Sequence, residues 1–111
     1  MLKYKGYYGS VDYSEEDEVF FGKVEFIKGL ISYEGTDAKS LKKAFQESVN
    51  DYLKSCQQQG LVAQKPFKGS FNVRVGTDLH RKAAILAKRK NFNLNKVVTE
   101  ALEKYLANQI L

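Results

Sequence analysis

At 111 residues the chain has room for one ordinary domain or two very small ones. An apolar content of 43% with 13% aromatic residues belongs to a folded protein rather than a disordered one. One cysteine (Cys56) and one histidine (His80) exclude an intrachain disulfide framework and a Cys-rich zinc site. No run of 18 apolar residues occurs, and the start Met1-Leu2-Lys3-Tyr4-Lys5 lacks a signal-peptide core. A soluble, cytoplasmic protein with no membrane contact is expected.

Residues 2–13 are aromatic-rich and roughly alternating, and read as a first strand. Ser14-Glu15-Glu16-Asp17-Glu18 is a solvated acidic turn. Glu18 to Ile27 alternates again, which predicts a half-buried antiparallel strand hairpinned to the first. Lys28-Gly29 turns the chain into a third strand, Leu30–Gly35, so the short connections predict a β-meander. Thr36-Asp37 supplies N-cap chemistry for a long helix. Its apolar stripe is Leu41, Ala44, Phe45, Val49, Tyr52, Leu53 and Cys56. Gly60 suits a left-handed cap at its end. Leu61-Val62-Ala63 is expected to add a short edge strand. The front module therefore reads as β-β-β-α over residues 1–63, and Gln64–Gly69, with the chain's single proline, reads as a linker.

The stretch Gly69–Val75 alternates strictly: Phe71, Val73 and Val75 on one face, Ser70, Asn72 and Arg74 on the other. Two helices follow. Thr77 or Asp78 caps the first, over residues 78–90, with a narrow stripe of Leu79, Ala83, Leu86 and Ala87. Asn93 caps the second, which carries Leu94, Val97, Val98, Ala101, Leu102, Tyr105 and Leu106 at helical spacing. Some forty residues with one strand bury too little surface to fold alone. The strand needs a partner, and the same strand from a second chain would make a two-stranded ribbon. The core of that dimer would be Phe71, Val73 and Val75 under Val98 and Leu102.

The charge is segregated. Residues 70–111 hold eight Lys/Arg against three Asp/Glu, which accounts for the whole net charge of +5, while residues 1–69 hold ten of each. A basic excess alone is a weak sign of a polyanionic partner, but its confinement to one unit is a footprint of nucleic-acid binding. On the polar face of a ribbon, Arg suits guanine, Asn adenine and Ser either. As an ordinary edge strand, the same face would simply be solvated. His80 and Cys56 read as a surface residue and a buried small hydrophobe.

The sequence Phe71-Asn72-Val73-Arg74-Val75, then Asp78–Lys82 and Asn93–Leu102, resembles the Arc/MetJ ribbon-helix-helix superfamily. The whole chain looks like a HicB-family antitoxin, in which that unit follows a small degenerate RNase H-like module. The implied fold class is α+β. The resemblance implies base reading by Ser70, Asn72 and Arg74, and phosphate binding by Asn93, Asn95 and Lys96 at the start of the last helix, with Lys68 ahead of the ribbon strand as a further phosphate-holding cation. A helix amino terminus offers unpaired N–H groups and a positive dipole end to a phosphate. It also implies that the front module binds and blocks a HicA-like, mRNA-cleaving toxin, while the back module represses the operon's promoter. The implied partners are double-stranded operator DNA, the toxin, and a second copy in a homodimer or dimer of dimers. This chain departs from the pattern in three places. Gly76-Thr77-Asp78 stands where the superfamily often has a helix-starting proline. Ser14–Glu18 replaces a Gly- and Asp-rich turn, and Lys28-Gly29-Leu30 replaces a Pro-Gly-Cys-like stretch.

An RNase H site needs several carboxylates converging on two metal ions. Asp12, Glu25 and Glu34 fall on predicted strands, and Glu47 and Asp51 on the long helix, but no Asp-rich cluster follows it. The expectation is no enzyme, no metal and no cofactor. An alternative is a stand-alone ribbon-helix-helix repressor whose front module senses a ligand or only oligomerises.

Overall fold

The structure is a computed structural model, and it describes residues 1–109. Ile110 and Leu111, the end of the expected 70–111 module, lie outside the described residues. The chain divides into two compact units, Met1–Phe71 and Asn72–Leu111.

The front unit contains β1 (Leu2–Tyr4), β2 (Tyr7–Gly9), β3 (Asp12–Ser14), β4 (Val19–Glu25), β5 (Ser32–Gly35) and α1 (Ala38–Gln58). The first expected strand is in fact a hairpin. Tyr4 pairs with Tyr7 across a two-residue loop, Lys5-Gly6, with φ of 51° and 82°. Positive φ at both positions is what a type I′ hairpin turn requires. Alternating aromatics on either side hide this turn, because Lys is not a turn-marking residue.

β2 and β3 then run along the same edge of β4 in one register, Gly9 opposite Val24 and Asp12 opposite Phe21. They are a single arm interrupted at Ser10-Val11, where the Ser10 hydroxyl accepts the Lys23 N–H at 2.9 Å. β5 pairs the other edge of β4. All pairings are antiparallel. β5 covers only Ser32–Gly35 of the expected Leu30–Gly35.

One sheet face packs on α1. The core is Tyr7, Val24, Tyr33, Leu41, Phe45 and Val49. Phe45 and Val49 are each 1% exposed. The Tyr33 ring lies over strands that must be bare there: a Cβ on Gly22 would come within 1.9 Å of the Ser10 carbonyl, and one on Gly9 within 2.2 Å of the Tyr33 hydroxyl. That hydroxyl donates to the Ser10 carbonyl at 2.7 Å. Burial, opposed by the contact with Ser10, pushes the Tyr33 phenol up to about 12.

Helix α1 begins where expected. The Asp37 carboxylate accepts the Ser40 N–H at 2.7 Å, and the Ser40 hydroxyl accepts the Asp37 N–H at 3.1 Å, a reciprocal capping box. The Ser40 N–H holds the Asp37 carboxyl below its ordinary value. The other end closes through Gly60 (φ 68°), with Leu61 N–H donating to Cys56 O at 2.8 Å and Gly60 N–H to Gln57 O at 3.3 Å. This is the Schellman closure.

Leu61–Ala63 forms no strand, contrary to expectation. The residues expected as a linker are instead fastened to the front unit. Gln64 donates its N–H to the Tyr52 hydroxyl at 2.8 Å and accepts from the Tyr7 hydroxyl. Its side chain bonds Lys28 twice, accepting the N–H at 2.7 Å and donating to the carbonyl at 3.1 Å. Phe67 packs on Tyr8 and Phe26 at centroid distances of 5.5 and 5.0 Å.

The back unit holds α2 (Thr77–Lys90) and α3 (Leu94–Ala107). Neither Thr77 nor Asp78 caps α2. Gly76 is the N-cap, at φ 84°, and makes no side-chain bond. Asp78 sits inside the first turn and pairs with Arg81 at 2.8 Å. A carboxylate there complements the positive helix end without capping it.

Candidate nucleic-acid interface

Residues 70–76 lie in no strand or helix, and all are exposed. A strand is defined by its hydrogen-bonded neighbour, and the described residues of a single chain supply none. Lys68, Ser70 and Phe71 belong to the front unit, and Asn72, Val73, Arg74 and Val75 to the back unit. The expected base readers Asn72 and Arg74 and the expected core side chains Val73 and Val75 therefore share an exposed segment leading into α2. Lys68 and Phe71 line a groove with Phe26 and Phe67 on the front unit.

The apolar faces of α2 and α3 are largely uncovered. Ala87 is the buried hydrophobic residue of this unit among the described residues. Leu79 is 59% exposed, Val98 46% and Leu102 39%. A stripe at clean helical spacing that remains in water has no partner inside the chain.

The turn between the helices is fixed by backbone hydrogen bonds and a cap. Asn91 takes the left-handed conformation, φ 58°, that Gly60 takes after α1. Phe92 N–H donates to Ala87 O at 2.9 Å and Asn91 N–H to Lys88 O at 3.3 Å. Two residues later Asn93 caps α3, its side-chain oxygen accepting the Lys96 N–H at 2.7 Å. Asn93 thus caps α3 through the Lys96 backbone N–H, with Asn95 exposed in the same first turn. Asparagine serves both ends because it tolerates left-handed backbone and accepts from a helix amide.

Sequence reasoning missed Phe92. Its half-buried ring lies beneath the Lys96 ammonium at 4.1 Å from the centroid and within 6.0 Å of the Lys90 ammonium. An aromatic residue between two lysine-bearing helix ends was the available signal.

Residues 52–102, from the last turns of α1 through most of α3, match the model of the HicB family. Over those residues the chain is similar to the HicB family. Neither a curated protein nor a solved structure matches the chain. That similarity is consistent with an antitoxin role in a toxin–antitoxin system, and so with a toxin as partner in general. No described helix is long and apolar enough to cross a membrane. In the front unit Asp12 and Glu34 flank Phe21 across the sheet. Among the described residues, no three His, Cys, Asp or Glu side chains converge as a metal site would need.

Proposed function

We propose that this chain is the antitoxin of a type II toxin–antitoxin system, acting without catalysis. Its front unit binds and inhibits a HicA-like mRNA-cleaving toxin. Its back unit pairs with a second copy as a ribbon-helix-helix and represses the operon's own promoter. The observation that carries this reading is the uncovered apolar stripe of α2 and α3, with Val98 and Leu102 exposed, in a segment that also holds the whole +5 charge. A second copy satisfies both facts. It buries the stripe, and it provides the partner for a ribbon of residues 70–75 that presents Ser70, Asn72 and Arg74 twice about a two-fold axis. Such a ribbon enters the major groove. Lys68, Asn95 and Lys96 would then hold phosphates, whose neutralisation makes binding fall steeply with salt.

The test is co-expression with the adjacent open reading frames. A small partner that stays bound, and that arrests growth when expressed alone, supports the antitoxin reading. A chain that shifts its own promoter DNA but retains no neighbour is instead a stand-alone repressor.

A further inference from the structure

Two ammonium groups gather on one ring in a segment rich in positive charge. Lys90 comes from the last turn of α2 and Lys96 from the first turn of α3, and Phe92 belongs to the turn that joins the two helices. The ring is not carried on a slack loop. Its own N–H is bonded to Ala87 O, and the next residue caps α3. Neither lysine forms an ion pair among the described residues, where the charge pair in this unit is Arg81 with Asp78.

A cation over an aromatic face is attracted by the ring quadrupole, and it keeps its outward N–H groups free to donate. Two like charges drawn to one ring repel each other unless an anion lies between them. We infer that Phe92 is a positioning residue for a phosphate clamp, holding Lys96 and Lys90 ready to grip one backbone phosphate of duplex DNA. The ring supplies no base contact, so its contribution is independent of sequence. The clamp rests on the DNA-binding reading above, and it adds two residues, Phe92 and Lys90, to those expected to serve it.

The experiment uses the full chain. Binding is measured to a duplex of its own promoter and to an unrelated duplex of equal length, across a salt series. Phe92→Leu removes the quadrupole and keeps an apolar side chain. It should weaken binding to both duplexes by a similar factor, about two- to fivefold, and lower the salt slope by up to about one. Phe92→Trp should restore both, because indole is the better cation–π partner. In a Lys90→Ala, Lys96→Ala background, Phe92→Leu should cost nothing further.

Unchanged binding by Phe92→Leu, a loss confined to the promoter duplex, or an undiminished loss in the double-lysine background would overturn the clamp while leaving DNA binding intact. Failure of the unaltered chain to bind either duplex would overturn the DNA-binding reading, and the clamp with it. If Phe92→Leu loses its helical circular dichroism, the decision passes to Phe92→Trp. That variant must match the unaltered chain in both affinity and salt slope, and a deficit in either counts against the clamp.

Discussion

The two units of this chain solve the same problem in opposite ways. The front unit encloses Tyr7, Val24, Tyr33, Leu41, Phe45 and Val49 between one helix and one sheet face. The back unit makes two well-terminated helices yet buries Ala87 alone among its described hydrophobic residues. Good caps and clean periodicity are therefore not enough for a fold. A helical stripe stabilises a structure only when something covers it, since most helical stability in proteins comes from packing. In the front unit the cover is the sheet. In the back unit, on the proposed reading, it is a second chain.

The largest effect that would sharpen this contrast is loss of the front core. Phe45→Ala should cost about 3–5 kcal/mol, as for other buried Phe truncations. Denaturant melts of the full chain should show the front unit destabilised, while DNA binding persists wherever the back unit remains folded. Loss of both together would mean the units do not fold separately.

Next is Arg74→Ala, expected to cost roughly 1–3 kcal/mol of promoter binding through a lost base contact. Toxin binding should be unchanged. Equal loss of both activities would end the division of labour between the units.

Asn93→Ala, which removes the α3 cap, should cost about 1 kcal/mol of stability. It should act on the back unit alone, so a shift in the front transition would contradict the assignment.

The smallest effect is Tyr33→Phe, about 1 kcal/mol at neutral pH from the lost bond to Ser10. This variant also changes the pH dependence. The Tyr33 phenol ionises near 10 when unfolded and near 12 when folded. Its contribution is therefore fully present below pH 10 and is lost as pH rises toward 12. Burial also raises Tyr7, with smaller contributions from Tyr52 and Cys56, so the variant should flatten this alkaline decline only in part. An alkaline melt series on both proteins reads this directly, and parallel curves would count against it.

The elements most legible in the sequence were those governed by local chemistry. Asp37 and Asn93 act as caps because short oxygen-bearing side chains reach back to helix amides. Gly60 ends α1 because it takes φ 68° without strain. What escaped depended on backbone choices without a side-chain signature, or on distant partners. Lys5 in left-handed backbone leaves the β1–β2 turn unmarked. Gly76 displaces Thr77 and Asp78 as the α2 cap. The fastening of Gln64 depends on Tyr7, Lys28 and Tyr52, none of them near it in sequence. Within the expected interface, the Asn93 cap of α3 was legible. The ring of Phe92 beneath Lys96 was not, because it arises from how two helix ends meet.

On the proposed reading, the apolar stripe of α2 and α3 belongs to an interface between two copies. Sedimentation equilibrium of the full chain, over a hundredfold range of concentration, tests it most directly. A dimer or an even multiple of chains is expected, and Leu102→Asp should shift that species toward monomer and melt α3. A monomer throughout the range, with α2 and α3 cooperatively folded, would contradict it.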